Sequence, residues 1–125
     1  MPMTGAKTPA QGFARRARLL TPAQFDAVYA TRLRVVDGCF SINAARNTLG
    51  HPRLGLSIGA KAAGNSVERN RVKRQVRESF RKEAGTLPAL DLVVGARNGV
   101  RTAHNARLRE SLAALWTEVR KRCAP

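Results

Sequence analysis

Ser66-Val67-Glu68-Arg69-Asn70-Arg71-Val72-Lys73-Arg74-Gln75-Val76-Arg77-Glu78-Ser79-Phe80-Arg81-Lys82-Glu83-Ala84 is the most informative stretch of the chain. At 100° per residue, Val72, Val76 and Phe80 fall within an arc of about 80°, the apolar stripe of an amphipathic helix. Lys73, Arg77, Arg81, Arg74, Arg71 and Lys82 fill the other side together with Asn70. Five Arg and two Lys against three Glu give this segment a net charge of +4. An ordinary solvated face mixes acids with bases, yet the arc from Lys73 to Lys82 holds only Glu78 as an acid. Such a helix can dock on a sheet by one side and face phosphates with the other. Asn65-Ser66 supplies a cap ahead of it, and Gly85 and Pro88 stop it.

The segments around this helix change period. Leu33-Arg34-Val35-Val36, Phe40-Ser41-Ile42-Asn43 and Arg53-Leu54-Gly55-Leu56-Ser57-Ile58 alternate or run β-branched. Asp37-Gly38, Asn47, Gly50 and His51-Pro52 separate them as turns, so three consecutive strands are expected as an antiparallel meander with one buried face. Lys61 to Ser66 reads as a loop. Beyond the basic helix, Leu90 to Arg97 reads as a fourth strand and Asn98-Gly99 as a turn. His104 to Arg122 reads as a last amphipathic helix with Leu108, Leu112, Leu115, Trp116 and Val119 on its apolar face. Near the start, Thr21-Pro22 is a helix opening, a hydroxyl cap followed by proline where its missing N–H costs nothing. Phe25, Val28 and Tyr29 then share one face of a helix over about 22–30. Phe25 suits either a core position or an exposed platform, and the Tyr29 hydroxyl favours a wet edge.

The order α-β-β-β-α-β-α predicts an α+β two-layer sandwich, a four-stranded sheet with helices packed on it. Residues 1–14 mix Gly, Pro, Thr, Gln and Ala without period and read as a flexible N-terminal arm, leaving 15–125 as a single domain.

The 125 residues carry 23 Lys plus Arg against 8 Asp plus Glu, a formal charge of +15. That excess calls for a polyanionic partner. Eighteen of the cations are Arg, whose planar fork engages phosphate oxygens in pairs and stacks on bases. Uncharged stretches such as Cys39 to Ala45 are far shorter than the ~18 residues of a membrane span, and no membrane partner is expected. Cys39 and Cys123, 84 residues apart and outside any CxxC, read as two reduced thiols of a cytoplasmic protein rather than a disulfide or zinc framework. The acids Asp26, Asp37, Glu68, Glu78, Glu83, Asp91, Glu110 and Glu118 are scattered singly, which argues against metal-assisted hydrolysis by the protein itself.

Gly64 to Arg81, centred on Arg69-Asn70-Arg71-Val72-Lys73-Arg74, closely resembles the signature of the bacterial ribonuclease P protein subunit. The likeness extends from Arg18-Leu19 and Phe25, through Leu54-Gly55-Leu56-Ser57, to Asp91-Leu-Val-Val and Ala96-Arg97, about residues 15–120 in all. The resemblance implies a left-handed β-α-β crossover, against the general rule of handedness. It implies a subunit of an endoribonuclease in which a catalytic RNA holds Mg2+ and cleaves precursor tRNA, while the protein binds that RNA and the 5′ leader and broadens substrate specificity. No cofactor on the protein alone and no obligate protein partner are implied. By position, Arg69, Asn70, Arg71, Lys73, Arg74 and Arg77 resemble the contacts to the ribozyme RNA. Arg18, Phe25, Tyr29, Ser57, Lys61 and Arg97 resemble the walls of the leader cleft. Two positions depart from the family pattern: Ala60-Lys61 supplies one lysine where members often have two, and Asn43 stands where some carry an aromatic. Composition alone also admits a ribosomal protein bound to folded RNA. A DNA-binding helix-turn-helix fits less well, because the basic helix follows a strand and a loop.

Overall fold

The structure is a computed structural model that describes residues 17–19 and 21–123. The expected arm over 1–14 lies outside the described residues. Helix α1 spans Pro22–Ala30, opened by a reciprocal cap in which the Thr21 hydroxyl accepts from the Gln24 amide and the Gln24 side chain accepts from the Thr21 amide. Strands β1 (Leu33–Val36), β2 (Phe40–Arg46) and β3 (Arg53–Ser57) follow. A one-turn helix, α2 (Ala60–Ala63), precedes the long basic helix α3 (Ser66–Glu83), capped by the Asn65 side chain on the Glu68 amide. Strand β4 (Leu90–Ala96), a 3-10 turn at Asn98–Arg101 and helix α4 (Asn105–Arg122) complete the chain.

The sheet order is β1-β2-β4-β3, with β1–β2 and β2–β4 antiparallel and β3–β4 parallel. The expected three-strand meander is therefore corrected: β3 does not pair with β2, because β4 lies between them. The reason is apolarity. Leu92, Val93 and Val94 are all buried, so β4 needs cover on both faces, which an interior position provides.

Alternation along the strands then sorts the two faces. Phe40, Ile42, Leu54, Leu92 and Val94 join Val72, Val76 and Phe80 of α3 and Leu108, Leu112, Trp116 and Val119 of α4 in the main core. Trp116 is fully buried, edge-on to Phe80, and its indole N–H donates to the Ser79 hydroxyl at 2.7 Å. On the reverse face α1 lays Val28 and Phe25, with Leu19, over Val93 and Ala45.

Polar anchors hold this packing in register. Burial pushes the Asp37 carboxyl up, but the Ser111 hydroxyl and the Phe40 and Cys39 amides outweigh it and hold it below the usual range, tying the β1–β2 turn to α4. Arg53 engages Asp91 with two hydrogen bonds at 2.8 and 2.7 Å, joining the parallel pair. Arg101 donates to the carbonyls of Ala60, Lys61 and Ala62, which holds the α2 turn where the sequence reads as loop. Cys39 and Cys123 are buried free thiols, and burial pushes Cys123 up. No helix among the described residues is long and apolar enough to cross a membrane.

Candidate nucleic-acid interface

The apolar stripe of α3 fixes which side of the helix meets solvent. With Val72, Val76 and Phe80 buried, Asn70, Arg74, Arg77, Arg81 and Lys82 are exposed, and Arg69 and Lys73 are half-buried at the margin. Val67, opposite the stripe, is 72% exposed in the midst of these cations. Two of the helix's arginines are in ion pairs along it, Arg71 with Glu68 and Arg81 with Glu78. The Arg81 guanidinium holds the Glu78 carboxyl below its ordinary range. Among the described residues no ion pair takes Arg69, Lys73, Arg74 or Arg77, which leaves them available to an outside anion.

Arg71 differs from its neighbours. Its guanidinium donates to Glu68 Oε1 at 3.0 Å, Asn105 Oδ1 at 2.8 Å and the carbonyls of Val100 and Ala103 at 3.2 and 3.3 Å. It is a strut between α3, the 3-10 turn and the start of α4. Nothing in its local spacing signals this, because its partners in the 3-10 turn and at the start of α4 lie about thirty residues away.

The expected leader residues divide between two places. Arg18 sits at the free edge of β3, where the Leu19 amide donates to the Leu54 carbonyl at 2.9 Å. There Arg18 and Phe25 line a cleft of about 220 Å³ whose opposite wall is Lys73 and Arg77. Its floor is Leu19, Leu54, Gly55 and Leu56. Residues expected on the ribozyme side and on the leader side thus meet in one cleft. Phe25 serves both readings, half-buried against Leu19 and Gly55 on one side and lining the cleft on the other. Gly55 is what allows it: a Cβ there would fall 2.7 Å from Phe25 Cζ.

The second place is the end of the sheet where β3 and β4 finish. Lys61 and Arg97 line a recess of about 310 Å³ with Gly38, Ala96 and Asn98, and Arg97 is steadied by the Asp37 carbonyl at 3.1 Å. Exposed Ser57 ends β3 beside it in sequence. In register, Ser57 pairs with Gly95, Gly95 with Ser41 and Ser41 with Val36, a row across the face that carries α1. Val36 and Tyr29 of α1 are each 43% exposed. Asn43 lies on the same face as the row, one step nearer α1 by alternation. Sequence reasoning missed Val36, Ser41 and Gly95 because only the strand order aligns them.

Among the described residues, no three His, Cys, Asp or Glu side chains cluster so as to hold a metal ion. Four of the acids are instead engaged singly: Asp37 with Ser111, Asp91 with Arg53 and Asn47, Glu83 with Arg120, Glu118 with Arg122. Burial raises Asp91, but the Arg53 and Asn47 hydrogen bonds prevail and hold it low. The arrangement offers phosphate-matched cations, two recesses and an aromatic edge, which suits single-stranded and folded RNA.

Comparison with known proteins agrees with this chemistry. The sequence profile of the Ribonuclease P family matches residues 13–120. A ribonuclease P protein component from Idiomarina loihiensis is 41% identical over 112 residues, covering 89% of this chain and 90% of that one. Another from Stutzerimonas stutzeri is 48% identical over 107 residues, covering 85% and 82%. Among solved structures, the Staphylococcus aureus RNase P protein superposes with a TM-score of 0.78 at 29% identity, covering 82% of this chain and 94% of that chain. The Thermotoga maritima protein gives 0.72 at 27% identity, covering 81% and 96%.

Proposed function

This chain belongs to the ribonuclease P protein family, and we propose that, as the protein subunit of that endoribonuclease, it grips RNA through residues 15–125 while the RNA subunit breaks the bond. Membership implies an RNA partner. The finer reading is that the partners are the catalytic RNA and the 5′ leader of precursor tRNA, whose removal leaves the mature 5′ end. Arg69, Asn70, Lys73, Arg74 and Arg77 meet the catalytic RNA, with Arg71 holding the helix they stand on. Arg18, Phe25, Tyr29, Ser57, Lys61 and Arg97 border the path of the leader. Magnesium in this reading is held by the RNA, since the carboxylates of the chain are dispersed and most of them are engaged by single protein partners.

The observation that carries the reading is the outer arc of α3, where Lys73, Arg74 and Arg77 stand outside every ion pair among the described residues and two of them wall the cleft beside Phe25. A folded RNA on the arc and a single strand entering the cleft would share that wall, which couples leader binding to ribozyme assembly.

Reconstitution with the cognate RNA tests it. The chain should raise cleavage of leader-bearing precursor tRNA at low magnesium and show no cleavage alone. Leader removal by RNA-free protein that persists through further purification would refute the assignment of catalysis to RNA. Co-sedimentation of the chain with ribosomes, and not with ribonuclease P RNA, would favour the ribosomal alternative.

A further inference from the structure

The sheet has two edges, and the arc of α3 accounts for only one of them. Lys73 and Arg77 lie beside β3, whereas β1 forms the opposite edge, about 14 Å away across four strands. At that far edge Arg32, Arg34, Arg46, Lys121 and Arg122 are all exposed. The last turn of α4 is stitched to the strands there: Arg46 Nη2 donates to the Cys123 carbonyl at 3.1 Å, and Arg122 Nη1 reaches the Arg34 carbonyl at 3.5 Å. Across residues 31–36, 44–47 and 118–123 the one acid is Glu118, bonded to Arg122 at 3.1 Å.

A second, independent observation comes from the backbone. Arg32 adopts φ +62°, the one non-glycine residue with positive φ among the described residues. It follows Thr31, the C-cap of α1, at the position where helices commonly end on glycine because a Cβ is disfavoured there. The turn itself is secured by Thr31, whose hydroxyl donates to the Val28 and Ala44 carbonyls. A side-chain contact made outside the turn would account for an arginine in a conformation that suits glycine.

We propose that this β1 edge is a second RNA-contacting surface, on which Arg32, Arg34 and Lys121 engage backbone phosphates of a helical RNA segment, flanked by Arg46 and Arg122. Phosphates rather than bases are indicated because residues 31–36, 44–47 and 118–123 carry no aromatic side chain on which a base could stack, the exposed Tyr29 lying on α1 before them. Two cationic edges on opposite sides of one small domain let it bridge two RNA elements, not merely coat one. The inference rests on the proposed function, which supplies the RNA.

The test uses the full chain and a transcript of the cognate ribonuclease P RNA, with affinity measured over a range of salt. Arg32→Gly should keep or raise the thermal midpoint while weakening RNA binding about three- to tenfold, with the log–log salt slope lower by about one unit. Arg34→Ala combined with Lys121→Ala should weaken binding further, without loss of fold. If all these variants bind the transcript as the parent does, with an unchanged slope, the inference falls; the proposed function still stands if Arg74→Ala with Arg77→Ala loses affinity. Loss of binding to phosphatidylglycerol vesicles with RNA affinity intact would assign the patch to a membrane and overturn it equally. A parent chain that binds no ribonuclease P RNA would instead overturn the proposed function.

Discussion

At Gly55 the absence of a side chain is what forms the cleft. A Cβ there would crowd Phe25 Cζ at 2.7 Å and Leu19 Cδ1 at 3.0 Å. Gly55→Ala is therefore expected to cost about 1–3 kcal/mol by overpacking and to displace the Phe25 ring, reducing the affinity gained from a leader. Denaturant unfolding and leader-dependent binding together check this, and an Ala variant that keeps both would remove Phe25 from the cleft wall. Arg71 presents the opposite case, a cation of the basic helix motif held by the protein's own acceptors. Arg71→Ala should lower stability by about 1–2 kcal/mol, the scale of lost charge-assisted hydrogen bonds at a half-exposed site. Arg74→Ala, on an exposed face, should leave stability within about 0.5 kcal/mol. Thermal unfolding of the free chain separates the two, and any RNA defect in Arg71→Ala must be read after its effect on the fold.

The elements carry a division of labour that single residues do not show. Helix α3 gives its apolar side to the sheet and its basic side to solvent, so charge can be removed from one without disturbing the other. Arg74→Ala with Arg77→Ala should reduce affinity for the RNA subunit and lower the salt slope by about two units, with little change in unfolding midpoint. The parallel pair β3–β4 is secured differently, by Arg53 on Asp91. Because Asp91 is held below its ordinary 3.8 in the folded state, its contribution is full at neutral pH. It is lost as pH falls below about 4, when the carboxylate protonates. Asp37, also held low, adds to the same acid sensitivity. Unfolding midpoints followed from neutral pH downward should fall off less steeply in Asp91→Asn than in the parent, from a lower starting value. Parallel curves for the two proteins would show that this pair does not set the acid limit.

Over the whole molecule, +15 on 125 residues makes every RNA association steeply salt-dependent, so affinities compare only at matched ionic strength. The exposed ring of Tyr29 provides the test of leader contact at this scale. Tyr29→Ala should narrow the affinity difference between precursor tRNA with and without a leader by about three- to tenfold, in line with about 1 kcal/mol for stacking on one base. Assembly with the RNA subunit should change little. Since Phe25 shares its cleft with Lys73 and Arg77, Phe25→Ala should affect both measurements. An equal defect from Tyr29→Ala in both would mean that leader and ribozyme contacts are not separable on this protein.

Local pattern by itself determined the helices α1, α3 and α4, the four strands and the charge that calls for a polyanion, because caps, periodicity and composition act over a few neighbouring residues. Thr21 with Gln24 and Asn65 with Glu68 make the caps that adjacent sequence signals, and the stripe of Val72, Val76 and Phe80 faces inward as its spacing demands. Tertiary structure alone decided that β4 separates β2 from β3, that Arg71 is a strut, that Arg101 holds α2, and that Arg18 and Phe25 face Lys73 and Arg77. Each of these depends on partners tens of residues away, chosen by which apolar faces can be buried together. A central position for the most apolar strand satisfies that demand, and no short-range periodicity encodes it.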